Sequence, residues 1–388
     1  MKLSRLVLTL VIAAITLALA SVHAQQIAQV RAIEPPATLL PEEAASSRIT
    51  RFSFVAYGDT RSASANDPNV PDDGRIIQAE HSRLVDRVIS RARELASTRF
   101  PIRFVLQSGD AVLRGTDAAM WNVSFSPIIE RLTRSANVPY FFAVGNHEVA
   151  GGETGRAQGL QNTLAAMSKL IPAEGSSRRL NGYPTYAFGY GNTFFIALDS
   201  NIASDAVQLA WTKNQLERLD RRRYRHVVAF FHHPPFSSGP HSRVSGDAAA
   251  PEPQTVAIRN LWLPLFRQHH VDLTIAGHEH LLDHWVEHYV DQGTTYRMDH
   301  VVTGGGGAPT YLYVGEPDVR AYLAANAAQG VRLDHLMRPG ATADANPHHF
   351  VTIRVDGDRL SLEVTSIGLR DYKPYNGRAS ISLSDGST

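Results

Sequence analysis

The chain has 388 residues, 43% hydrophobic and 19% charged, which is the balance of a globular protein with room for one large domain or two ordinary ones. A formal charge of +1 offers no basic excess for polyanion binding, so a nucleic-acid polymer is not an indicated partner. The absence of cysteine excludes disulfides, thiol nucleophiles, cysteine-ligated zinc and a cysteine-linked lipid anchor.

Residues 1–24 have the build of a signal peptide. Lys2 and Arg5 form a basic start, Leu6 to Ala20 is apolar, and Val22-His23-Ala24 resembles a small-x-small cleavage site. The apolar stretch falls short of the ~20 residues that span a bilayer. Cleavage is therefore expected, leaving no stable membrane anchor and a secreted or periplasmic protein. Residues 25–48, with Pro35, Pro36 and Pro41, read as a linker or an extended N-terminal segment, and 49–388 as one α/β domain.

From Phe52 onward, strands and helices alternate. Strands are expected at 52–58, 103–108, 139–144, 184–189, 193–199, 225–231, 271–276, 284–290, 294–302, 349–355 and 359–366. Helices are expected at 80–96, 117–134, 160–170, 206–220, 254–268 and 316–328. Long polar loops at 60–79, 149–183 and 234–253 are placed to shape a pocket.

Five of the strands end in metal-type side chains: Gly58-Asp59, Gly109-Asp110, Gly145-Asn146-His147-Glu148, His232-His233-Pro234 and Gly277-His278-Glu279-His280. A lone Gly-Asp is usually a turn, and a lone histidine after a strand is usually a hydrogen-bonded core residue. Five such endings would converge on the rim where open α/β sheets place their function. Carboxylate, amide and imidazole donors together suit Zn, Mn, Fe or Co. A carboxylate shared by two such ions would lower the pKa of a water and clamp an in-line phosphoryl displacement.

This ordered set, spanning roughly 52–310, resembles the calcineurin-like metallophosphoesterase superfamily, with purple acid phosphatases and class III phosphodiesterases among its relatives. The resemblance implies a four-layer sandwich of two mixed β-sheets flanked by helices. It also implies two transition-metal ions of the Zn, Mn or Fe class and a metal-bound hydroxide attacking phosphorus in line. By the same resemblance, Asp110 would bridge the metals. Asn146, His232 and His278 would complete the second site, Asp59 and His280 would hold the first, and His147 would act as general acid or phosphate contact. Asp199, at a strand end, is either a partner for a histidine or a turn residue.

One position departs from the family pattern. Where a metal-ligating histidine is usual, Asp59-Thr60-Arg61 places an arginine, which stays protonated and cannot ligate. The tyrosine that some purple acid phosphatases supply after the second motif is replaced by Leu113. Arg61 is expected either to fork onto phosphate or to make a surface ion pair, and His81 or His241 is a candidate replacement ligand. Three functions follow: a phosphomonoesterase, favoured for the extra cation; a phosphodiesterase on nucleotides or glycerophospho-compounds; and a weakened binding or scaffold member of the fold.

His284-Trp285-Val286-Glu287-His288 matches the H-x-x-E-H pattern of inverted zinc peptidases. That chemistry needs a helix, whereas this stretch reads as a strand, which would hold the two histidines ~13 Å apart.

Overall fold

The computed structural model describes residues 29–62, 76–243 and 246–383. The signal-peptide expectation at 1–24 lies outside them, as does much of the loop at 60–79.

Two mixed sheets carry the fold. The first has the order β13-β12-β11-β1-β2-β3, built from Ser380–Ser382, Arg359–Ile367, His348–Asp356, Arg51–Tyr57, Ile102–Gln107 and Tyr140–Phe142. The second has the order β10-β8-β9-β7-β6-β5-β4, built from Arg332–Met337, Leu282–Asp291, Thr294–Thr303, Leu273–Ala276, His226–Phe230, Thr193–Ala197 and Tyr186–Tyr190. β1, β2 and β3 run parallel, as do β5, β6, β7 and β9. All of these but β9 are buried throughout or nearly so, which explains their apolar runs.

The sheets face each other through aromatic side chains. Phe104 of β2 meets Phe188 of β4 edge-on at 5.5 Å and Phe195 of β5 at 5.0 Å, while Phe54 of β1 meets Phe195 at 5.1 Å. Such edge-to-face pairs fix the relative position of two layers better than aliphatic contacts do. Helix α1 (Ala79–Leu95) packs on the outer face of the first sheet with Leu84, Val85, Val88 and Ile89 buried at helical spacing. Trp262 and Phe266 pack with Phe231 on the outer side of the second sheet.

Several expected elements differ. The helix expected at 160–170 runs Gly152–Met167, starting earlier across a glycine-containing polar stretch. The helices expected at 117–134 and 254–268 each contain a π turn, at Met120–Phe125 and Ile258–Trp262. Strands β10 and β13 had no counterpart in the sequence expectations. The helix expected at 316–328 shortens to Arg320–Ala325 and a 3-10 turn. Within the segment expected as a linker or extended stretch, residues 29–48 lie against the domain. Ile33 is fully buried and its amide donates to Ala166, while Glu43 accepts from Arg178, Tyr224 and the Gly189 amide.

His284 and His288 sit on β8, as the strand expectation required. His284 pairs with Asp299 at 2.7 Å and His288 lies 3.5 Å from Asp334, so they serve separate contacts rather than one zinc.

Candidate metal centre

The carboxyl ends of β1, β2 and β3 from one sheet and of β6 and β7 from the other meet at one rim. Each end is followed within a few residues by a polar side chain: Asp59, Asp110, Asn146-His147, His232, and His278 with His280. Asp59, Asp110 and His278 adopt left-handed backbone, with φ of 60°, 56° and 70°. Such conformations cost roughly 1–3 kcal/mol each and persist only where surrounding bonds enforce them. Here they do. The Asp59 carboxylate accepts the His278 amide at 2.9 Å, and Asp110 Oδ1 accepts the His147 amide at 3.0 Å.

Two glycines make the approach possible. A Cβ at Gly145 would lie 2.2 Å from Asp110 Oδ1, and one at Gly277 would lie 2.3 Å from Asp59 Oδ2. Glu148, fully buried, holds these loops together by accepting the amides of Asp110, Val112 and Gly145 at 2.9, 3.1 and 2.7 Å. Burial and the Asp110 charge nevertheless push its pKa up to about 8.

The second half of the donor set is defined by lone pairs. His232 Nδ1 faces the Ser108 carbonyl at 3.1 Å, so that nitrogen donates and Nε2 is bare. His278 Nε2 faces Glu252 at 2.7 Å, so its Nδ1 is bare. These two bare nitrogens lie 3.1 Å apart, and Asn146 Oδ1 lies 2.8 Å from one and 3.1 Å from the other. Asp110 Oδ1 is 3.4 Å from His232 Nε2. Burial pushes the His232 pKa down to about 3 and that of His278 to about 4, which keeps both imidazoles neutral at ordinary pH. Converging acceptors with no proton between them repel one another. A cation removes the repulsion, so these residues fit a transition metal.

The first half gathers Asp59, Asp110 and His280, whose donor atoms lie within 4.8 Å of one another. His280 Nδ1 donates to the Pro309 carbonyl at 2.7 Å, turning Nε2 toward Asp59 Oδ1 at 3.5 Å. Burial and the Asp110 charge raise the Asp59 pKa well above the carboxylate range. On Asp110 burial works in the same direction, but His232, His147 and Arg61 outweigh it and hold that carboxyl below the usual range. Arg61 is 7% exposed and turns inward, with Nη2 at 3.4 Å from His280 Nε2 and Nε at 3.7 Å from Asp110 Oδ2. A surface ion pair is excluded by that burial.

His147 stands at the open side. Its Nδ1 donates to the Leu113 carbonyl at 2.7 Å, and Nε2 faces Asp110 Oδ2 at 3.8 Å with the side chain 27% exposed. Neither candidate replacement ligand supports the first half. His81 is buried between Gln78 and Tyr57, and the His241 ring lies tilted 4.1 Å from that of His278 and bonds Glu252. Asp199 pairs with Arg156 and caps a 3-10 turn, as the turn alternative described. Glu252, which orients His278, went unnoticed in the sequence because it sits between Pro251 and Pro253 in a loop without periodicity.

Residues 81–282 match the calcineurin-like phosphoesterase family model, and the chain belongs to that family. The match takes in Asp110, Asn146, His147, His232, His278 and His280, while Asp59 and Arg61 precede it. Purple acid phosphatase 23 of Arabidopsis thaliana is 25% identical over 209 residues, which are 53% of this chain and 39% of that protein. Probable purple acid phosphatase 20 of the same plant is 25% identical over 203 residues, 51% of this chain and 44% of the other. The chain thus spans less than half the length of these curated relatives. Among solved structures, yellow lupin purple acid phosphatase PPD1 aligns with a TM-score of 0.58 at 18% identity, covering 87% of this chain and 54% of that one. The Plasmodium inner-membrane-complex anchor GAP50 aligns with a TM-score of 0.50 at 13% identity, covering 82% and 85%. These two likenesses bear on the fold, which is the two-sheet sandwich expected. The family and its purple acid phosphatase relatives imply a dinuclear metal centre.

Proposed function

We propose that this chain is an exported, metal-dependent phosphoric ester hydrolase that favours small phosphomonoesters. The observation that carries this reading is the meeting of Asn146 Oδ1, His232 Nε2 and His278 Nδ1 beside the Asp110 carboxylate, three acceptor atoms, two of them on buried histidines, with no proton between them. A transition metal held there would supply Lewis acidity toward the phosphoryl oxygens and would lower the pKa of an attacking water.

The chain's own residues divide the remaining work. Asn146, His232 and His278 would hold one ion, Asp59 and His280 line the other position, and the Asp110 carboxylate adjoins both sets. Glu252 orients His278 through Nε2, while the Ser108 and Pro309 carbonyls orient His232 and His280. His147 is the partly exposed imidazole at the mouth, with Nε2 directed at the Asp110 side of the site, and its role is to give a proton from the imidazolium form to the leaving oxygen. Arg61, together with His232 and His147, holds Asp110 ionised, and its positive charge in the site favours a dianionic monoester over a monoanionic diester.

Export rests on the basic start and apolar stretch of residues 1–24, with the domain following 25–48. No helix among the described residues is long and apolar enough to cross a membrane.

The test is kcat/KM on para-nitrophenyl phosphate and on its bis ester, before and after chelation. Chelator-sensitive turnover with monoester preference is expected. A strong diester preference removes the monoester assignment. Turnover indifferent to chelator removes the metal dependence, and no turnover after adding Mn, Zn or Fe removes the hydrolase reading.

A further inference from the structure

The first half of the donor set already contains a cation. Asp59, Asp110 and His280 bring donor atoms within 4.8 Å of one another, and the Arg61 guanidinium lies beside His280 and Asp110. Its Nη2 is 3.4 Å from His280 Nε2, and its Nε is 3.7 Å from Asp110 Oδ2. Because His280 Nδ1 is spent on Pro309, Nε2 presents a lone pair, and the guanidinium is the donor. The metal-facing electron pair of His280 is therefore used inside the protein.

Arg61 is held in that position. Both the Thr60 and Arg61 amides donate to the Asp110 carbonyl, at 2.9 and 3.1 Å, and Nη1 donates to the Ser62 carbonyl at 3.4 Å. The side chain is buried beside two aspartates, and a guanidinium does not give up its proton to become a ligand. A dication coordinated by His280 Nε2 would meet N–H groups aimed at the same lone pair, and it would add repulsion in a site where charge is poorly screened. The residues of the first half do not fit a metal while Arg61 stays there. Those of the second half do, since its three acceptors have no internal cation.

We infer that Arg61 is the built-in cation of the first position, and that this chain holds one metal ion, at Asn146, His232, His278 and Asp110. The inference rests on the phosphoesterase reading and sharpens it, departing from the dinuclear centre that the family implies. Arg61 here is a positioning residue, which fixes Asp110 and His280 and supplies a fixed charge that no chelator removes.

The test uses the purified full chain, loaded with excess Mn(II) and freed of unbound metal by gel filtration. Metal per chain is measured by elemental analysis, and the ion's environment by electron paramagnetic resonance. One equivalent with the spectrum of an isolated ion is expected. Arg61→His, which removes the fixed charge and adds a neutral donor, should take up two equivalents and show an exchange-coupled pair. Arg61→Lys should remain at one. Two coupled equivalents in the parent overturn the inference and leave the phosphoesterase reading standing; no bound metal overturns both. An Arg61→His protein that folds yet stays at one equivalent overturns the assignment to Arg61. If that variant does not fold, the parent stoichiometry and spectrum still decide.

Discussion

The two halves of the centre are built from the same kinds of residue and solve opposite problems. Around Asn146, His232 and His278, every acceptor faces another acceptor, and stability waits on an ion from outside. Around Asp59, Asp110 and His280, the negative charge is met by Arg61 from within the chain. At an effective dielectric of about 20, unit charges ~4 Å apart interact by ~4 kcal/mol, so a dication beside the guanidinium would face about twice that in repulsion. One residue after the first strand, Arg61, thereby sets how many metals the two halves take up.

The comparison breaks most sharply at His232. Replacing it with alanine removes a ligand from the half that depends on an external ion. Bound Mn should fall to background, and kcat/KM on para-nitrophenyl phosphate by roughly 10³-fold or more, beyond the 10–100-fold typical of groups that only orient a ligand. Activity within tenfold of the parent would mean that the ion sits elsewhere. His147 comes next, because it belongs to neither half's ligand set. In His147→Ala, metal content should hold while kcat falls by about 10²–10⁴, more for an alkyl phosphate than for the nitrophenyl ester, whose leaving group needs no proton. An equal loss on both esters would argue against proton donation.

How much of this was legible depended on whether chemistry was coupled to a local pattern. The five strand ends could be seen because a buried parallel strand is a continuous apolar run, and the side chain after it is conspicuous. The sheet pairing came from resemblance rather than from periodicity. β10 escaped because Arg332 and Asp334 interrupt its apolar residues, as befits an edge strand with alternate residues exposed. The prolines of 25–48 indicate a linker or an extended N-terminal segment, and single contacts such as those of Ile33 and Glu43 hold its described part to the domain without any repeating signal. Glu252 and the inward turn of Arg61 are consequences of tertiary placement. Nothing within several residues of either announces the partner it meets.

Glu252 sharpens the comparison further. His278 is oriented by a side chain, whereas His280 is oriented by the Pro309 backbone carbonyl, so of these two orienting bonds only the one to His278 can be removed by substitution. Glu252→Ala should weaken Mn binding 10–100-fold with the fold intact, as followed by titration of the metal-free protein. Unchanged affinity would show that His278 needs no orienting partner.

The smallest effect lies beneath the loop that runs from His232 toward His241. Ser238 donates to Asp283 through both amide and hydroxyl at 2.7 Å, and His335 Nε2 reaches the same carboxylate at 2.6 Å. His335 Nδ1 meets Glu316 at 2.9 Å, and its ring stacks on Trp285 at 3.8 Å. Both nitrogens face carboxylates, so the imidazolium form satisfies every contact. Burial opposes that charge, but Asp283 and Glu316 prevail and the His335 pKa is raised. A raised folded pKa contributes stability that is fully present below the unfolded value of about 6.5 and lost as pH climbs through the folded value. In metal-free protein the parent should therefore melt above His335→Asn by on the order of 2 °C at pH 6, with the gap narrowing toward pH 9. A gap that is flat or widens with pH would mean that His335 is held neutral, and that the loop under the second half is anchored by Ser238 and Asp283 without it.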